Sequence, residues 1–113
     1  MNQLIEINDP PYVKDIPTHT MGSIARYVLQ GIHPGDFVWN CICNDLKMAV
    51  AYADKNNAAA LKPIVMLLVN RIPSGCWGNE DKALAWIKKF QSEQNHGNET
   101  SNRYPYLRKH LQS

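Results

Sequence analysis

Long apolar runs are missing from this chain, as are strong charge, an even set of cysteines and any internal repeat. No hydrophobic stretch approaches the roughly 20 residues that a membrane-spanning helix requires. The opening Met1–Glu6 has no basic stretch followed by an apolar one, so no secretory signal is expected. Charged residues make up only 19% of the sequence, too few for a disordered polyelectrolyte. Three cysteines cannot all pair within one chain, and Cys41 and Cys43 stand two apart in a helical stretch where their side chains diverge. A reduced, cytoplasmic protein is the expectation. Cys41 and Cys43 with Cys76 offer three thiolates for zinc, but no histidine stands at matching spacing, and no metal or cofactor is expected.

What is present suits one ordinary globular domain. At 113 residues with an apolar share of 44%, there is material for a single core. The formal charge of +2 is unevenly placed. Residues 103–113 hold Arg103, Arg108 and Lys109 and no acid, which leaves nine basic against ten acidic side chains over 1–102. A body this close to neutral argues against an extensive phosphate-binding surface.

The periodicity is that of an all-α protein: a compact bundle of four to five short helices with an extended N-terminal arm and a flexible C-terminal tail. Residues 1–17 carry Pro10, Pro11 and Pro17 and read as the arm, with room for a short strand at Leu4–Ile7. The helical domain spans 18–90. Thr18 or Thr20 caps a first helix whose Met21, Ile24, Ala25, Val28 and Leu29 share one face. Gly31 ends it, and His33-Pro34-Gly35 turns the chain. Asp36 caps the next helix, with Phe37, Val38, Cys41 and Ile42 on one side. Either this helix continues to residue 53, or Asn44 or Asp45 restarts it with Leu46, Ala49, Val50 and Ala53 inward. Ala58–Asn70 is the most apolar segment and reads as the central helix, with Pro63 kinking it or marking its first turn. Asn79 caps a last helix with the stripe Ala83, Trp86, Ile87 and Phe90. Residues 91–113 read as a polar linker to Asn102 followed by a basic, aromatic tail, Tyr104–Leu111.

Several blocks resemble a family of small, largely uncharacterised proteins encoded by bacteriophages and prophages. They are Gly22–Val28, Gly31–Phe37, Asn44–Lys47, Ala53-Asp54, Asn57, Pro73–Gly78 and Ala85–Ile87. The resemblance runs from Ile16 to Phe90, about two thirds of the chain, and leaves the tail outside it. It implies a phage setting and the host cytoplasm, and it carries no activity to transfer.

Candidate ligand-binding residues fall in two places. Thr18, His19, Thr20, Arg26, Tyr27 and His33 lie along and beyond the first helix, where hydroxyls and cations at a helix N-terminus suit an anion. The plain alternative is that Thr20 caps the helix, Arg26 is solvated and His33 belongs to a turn. Trp77 and Gly78 lie in a glycine-bearing loop before the last helix, where the indole stacks on a base or fills the core. Cys76 is a nucleophile only with a histidine beside it, and nothing in the sequence places one there. The reading that follows is a non-enzymatic phage accessory protein. It counters host defence by sequestering a nucleotide-type signal or by occupying a defence protein. The alternative is a nucleic-acid-associated regulator of helix-turn-helix type, although the second helix has no Arg or Lys to read bases. Tyr27, Trp39, Tyr52, Met66, Trp77, Tyr104, Tyr106 and Leu111 exceed what the core stripes use. A homo-oligomer, most simply a dimer with the tail at its interface, is therefore expected.

Overall fold

The structure, a computed structural model, describes residues 10–92 and 105–112. The strand considered at Leu4–Ile7 and most of the 91–102 stretch fall outside them. Five helices among the described residues have seven residues or more. They are α1 (Thr18–Gln30), α2 (Asp36–Ile42), α3 (Leu46–Tyr52), α5 (Leu61–Arg71) and α6 (Glu80–Ser92). Shorter ones are α4 (Lys55–Ala59) and α7 (Pro105–Arg108), and 3₁₀ helices cover Pro11–Asp15, Ser74–Cys76 and Lys109–Gln112. The fold is the all-α bundle that the periodicity predicts, with no strand among the described residues. Its radius of gyration of 13.5 Å is that of one compact domain of this length.

The core is organised on α1. Met21, Ile24, Ala25, Val28 and Leu29 recur at helical spacing, and all are buried. Each large aliphatic side chain buried in this way is worth about 1.5–3 kcal/mol relative to exposure. Gly31 ends α1 with a φ of 67°, and the amides of Gly31 and Ile32 bond back to the carbonyls of Tyr27 and Arg26. Only glycine takes this left-handed conformation without steric cost, so the sequence itself stops the helix there. The start of α1 differs from expectation. Pro17 occupies the cap position and no side chain caps the helix. Thr20 is buried instead, and its hydroxyl donates to Asn57 Oδ1 over 2.6 Å, tying α1 to α4.

The segment 36–53 is two helices. Asn44, the one described non-glycine residue with a positive φ (63°), breaks the run. Asp45 then caps α3, its carboxylate accepting from the Met48 amide at 3.1 Å. The break rotates α3, so Ala49 points inward while Leu46 and Val50 face solvent, contrary to the expected inward set. Gly35 rather than Asp36 caps α2, and Asp36 sits in the first turn, where its charge still favours the helix dipole. Asp54 caps α4 through the Asn57 amide at 2.7 Å, and Asn79 caps α6 through the Lys82 amide at 2.9 Å. Pro63 is the third residue of α5, inside the first turn, where its missing N–H breaks no helical bond. Ile64, Leu67 and Leu68 form the buried face of α5, and Val65 and Val69 are exposed.

The described segments 10–16 and 105–112 both pack onto the body. The described part of the arm is coiled rather than extended, with Val13 and Ile16 buried and the 3₁₀ helix Pro11–Asp15 packed on α5. The tail also departs from expectation. The helical turns from 105 to 112 lie along α1, and Leu107 is 0% exposed. A free tail would leave Leu107 and Leu111 in water. Their i, i+4 spacing puts both on one face of a turn, and docking that face removes them from solvent.

Candidate functional site

Where the 3₁₀ helices Pro11–Asp15 and Lys109–Gln112 meet the start of α1, they border a cleft of about 400 Å³. Pro11 opens the N-terminal 3₁₀ helix, a position where its fixed φ suits the helix and its missing N–H is no loss. That helix turns Val13 and Ile16 inward and leaves Lys14 exposed at the rim. Thr18 contributes from the first turn of α1, Met21 from the next, and His110 from the C-terminal 3₁₀ helix. Pro10, Pro11, Val13 and Ile16 complete the walls. Among the described residues, the polar groups lining the cleft are an ammonium, a hydroxyl and an imidazole, with no carboxylate. The helix start beside them has neither a side-chain cap nor an acidic residue in its first turn.

The sequence candidates divide. Thr18 lines the cleft, and His19 is exposed next to it. Arg26 lies two turns further along α1, half-buried, with Nη1 donating to the Leu111 carbonyl at 3.4 Å, so it helps to hold the tail. Thr20 and Tyr27 belong to the interior. Tyr27 is 0% exposed, donates its hydroxyl to the Cys76 carbonyl at 2.6 Å, and meets Trp39 edge to face at 6.5 Å. Burial holds the Tyr27 hydroxyl far above its ordinary pKa. A residue so placed cannot stack on a ligand base.

His33, Trp77 and Gly78 do not join the first group. A helix of 13 residues is about 20 Å long, so His33, beyond its far end, is well removed from Thr18. The His33 ring stacks on Trp39 with centroids 4.2 Å apart, and its Nδ1 lies 2.5 Å from the Pro34 carbonyl. Trp77 is half-buried against the core. The Gly78 amide donates to the Ile42 carbonyl at 2.7 Å, with a φ of 122° that L side chains rarely adopt. The two glycine-bearing turns therefore close the fold around α1, α2 and α6.

The cysteines are thiols. Burial pushes Cys76 up to about 12, and its Sγ donates to the Pro73 carbonyl at 3.2 Å. Cys41 and Cys43 are pushed up to about 11, Cys41 by burial and Cys43 by burial and by the nearby Glu80 and Asp45. Burial thus disfavours the thiolate at all three positions. Among the described residues no three His, Cys, Asp or Glu side chains gather as a metal set. No helix among them is long and apolar enough to cross a membrane.

Sequence reasoning missed Pro10, Pro11, Lys14 and His110. The prolines read as an arm and His110 as part of a tail, although the Leu107/Leu111 pair was a visible signal that the tail docks. No family model, curated protein or solved structure matches the chain.

Proposed function

We propose that this is a non-enzymatic binding protein that holds a small anionic ligand of nucleotide type in the cleft at the start of α1. The observation that carries the reading is the lining. Lys14, Thr18 and His110 converge on a space of about 400 Å³ whose remaining walls are apolar. Small-molecule sites have this size and this mixture of apolar wall with a few polar groups. A phosphate is served by the Lys14 ammonium, the Thr18 hydroxyl and the His110 imidazole, and by the positive end of a helix lacking an acidic first turn. The flat part of such a ligand rests on Pro10, Pro11 and Met21. Tyr27 takes no part, and Trp77 and His33 lie elsewhere. In the phage setting that the sequence resemblance implies, removing a nucleotide signal from the host counters its defence. The raised cysteine pKa values support binding over thiol chemistry.

The helix-turn-helix alternative draws little support from α2. That helix has seven residues, buries Phe37, Val38 and Ile42, and commits the Asn40 side chain to the Asp36 carbonyl at 2.8 Å. The exposed side chain left there is the Asp36 carboxylate, whose charge repels the phosphate backbone. Calorimetry against cyclic and ADP-ribose-type nucleotides tests the proposal. Saturable heat that Lys14→Glu abolishes is expected. Absence of heat across the panel, or heat unchanged by that substitution, refutes it.

A further inference from the structure

The surplus of apolar side chains that the sequence displays is largely absorbed by the fold. Tyr27 is buried, Trp39, Met66 and Trp77 are half-buried, and the tail is docked on its own chain. Tyr52 stays exposed at the end of α3, and Ile32 and Leu84 are exposed singly, while four further exposed aliphatic residues gather on α3 and α5. Leu46 is 70% exposed and Val50 51%, one turn apart on α3; Val65 is 46% and Val69 60%, one turn apart on α5. Leu46 and Val65 line one shallow cleft of about 50 Å³, with Ala49 and Leu61 in the same lining. Two ridges at i, i+4 spacing therefore flank one groove.

We infer that this α3/α5 face is a symmetric self-association surface, occupied by the same face of a second copy of the chain. Area is the first argument. The four residues expose roughly 400 Å² of apolar side chain, a patch size that on a monomer is often functional. A standard interface takes about 800 Å² from each partner, somewhat over half of it apolar, so this face supplies nearly the whole apolar share of one protomer. Shape is the second. A space of 50 Å³ has room for about three or four waters. It suits one branched aliphatic side chain, such as the protruding Leu or Val of its own ridges, and excludes an aromatic anchor. A surface that carries both the ridge and the hole that accepts it is self-complementary, which is what a two-fold interface requires. Asn40, Asn44 and Asp45 stand at the edge of the cleft and provide a polar rim.

Sedimentation or light scattering of the full chain at micromolar concentration tests this. The expected species has a mass of twice 12.9 kDa. Leu46→Glu and Val69→Asp each raise the dissociation constant at least tenfold while leaving the circular dichroism unchanged, because both positions are solvent-facing. Should an acid disturb the fold, Leu46→Gln and Val69→Gln make the same comparison. A single 12.9 kDa species across a tenfold dilution series overturns the proposal. So does a dimer that survives both substitutions, or a groove filled by a different protein while the chain itself stays monomeric.

Discussion

Replacing Gly31 by alanine perturbs the joint on which α1 and α6 meet. Two costs follow from the geometry. With φ at 67°, residue 31 is left-handed, a conformation that costs an L side chain about 1–2 kcal/mol. A Cβ built there also falls 2.5 Å from Phe90 Cβ and Cγ and 2.7 Å from Cδ1. Real Cβ atoms do not approach so closely, so α6 or the Phe90 ring must move. Overpacking of this kind costs about 1–3 kcal/mol. Gly31→Ala should therefore destabilise by about 2–5 kcal/mol. For a domain of this size that lowers the melting temperature by ~8–20 °C. Urea unfolding with an unchanged m-value is the assay, since it separates stability from compactness. Two companions divide the costs. Gly31→Asn tolerates the left-handed backbone better and retains the clash, so it isolates the packing part. Phe90→Ala removes Cγ and Cδ1 but not Cβ, so the double variant Gly31→Ala/Phe90→Ala should lose at least ~1 kcal/mol less than the sum of the singles. A Gly31→Ala protein that melts within two degrees of the parent refutes both the left-handed turn and the contact with Phe90.

Leu107→Ala should cost about 3 kcal/mol, because the side chain is 0% exposed against α1; a melt unchanged by this substitution, or by ending the chain at Ser92, shows that the tail does not dock. Trp86→Ala should cost about 3 kcal/mol, since the half-buried indole donates from Nε1 to the Tyr27 carbonyl at 3.1 Å and packs on Phe90 with centroids 5.6 Å apart. A shift of only a degree or two in thermal melts contradicts that role. Alkali should weaken the fold through Cys76. Its pKa is raised from 9.0 to about 12 in the folded state, so its contribution is whole below pH 9 and is lost as pH rises from about 9 to 12. A urea midpoint that stays level from pH 9 to 11, or that falls no more steeply than in Cys76→Ala, contradicts this.

Much of the fold is legible where a local rule is sufficient. The stripe of α1 and its stop at Gly31 follow from periodicity and from the one residue type that accepts a positive φ there. Asn79 is read correctly as a cap because its carboxamide meets the amide three residues on and nothing competes for it. The same rule fails at Thr20. A hydroxyl able to cap a helix can equally well satisfy a buried amide, and Asn57, 37 positions away, is invisible to a local reading. The orientation of α3 is missed for a similar reason. Whether Leu46 and Val50 face in or out depends on how Asn44 turns the backbone, and apolar character alone does not specify it. The cleft is the least legible part of the molecule. Lys14 and His110 are 96 positions apart in sequence, and only the docking of Leu107 on α1 brings the tail to the arm. Thr18 stands at the right helix end, but residue type alone groups Arg26, Tyr27 and His33 with it, and the fold assigns these to the tail, to the core and to the far end of α1.

The most direct test of the binding account is isothermal titration of the full chain with an ADP-ribose-type and a cyclic nucleotide, repeated with Lys14→Glu and with Trp77→Ala. The account predicts saturable binding to at least one of them that is lost in Lys14→Glu and kept in Trp77→Ala, because Lys14 lines the cleft and Trp77 does not. Binding lost in Trp77→Ala and kept in Lys14→Glu would move the site to the other end of the molecule, and no binding at all would contradict the account outright.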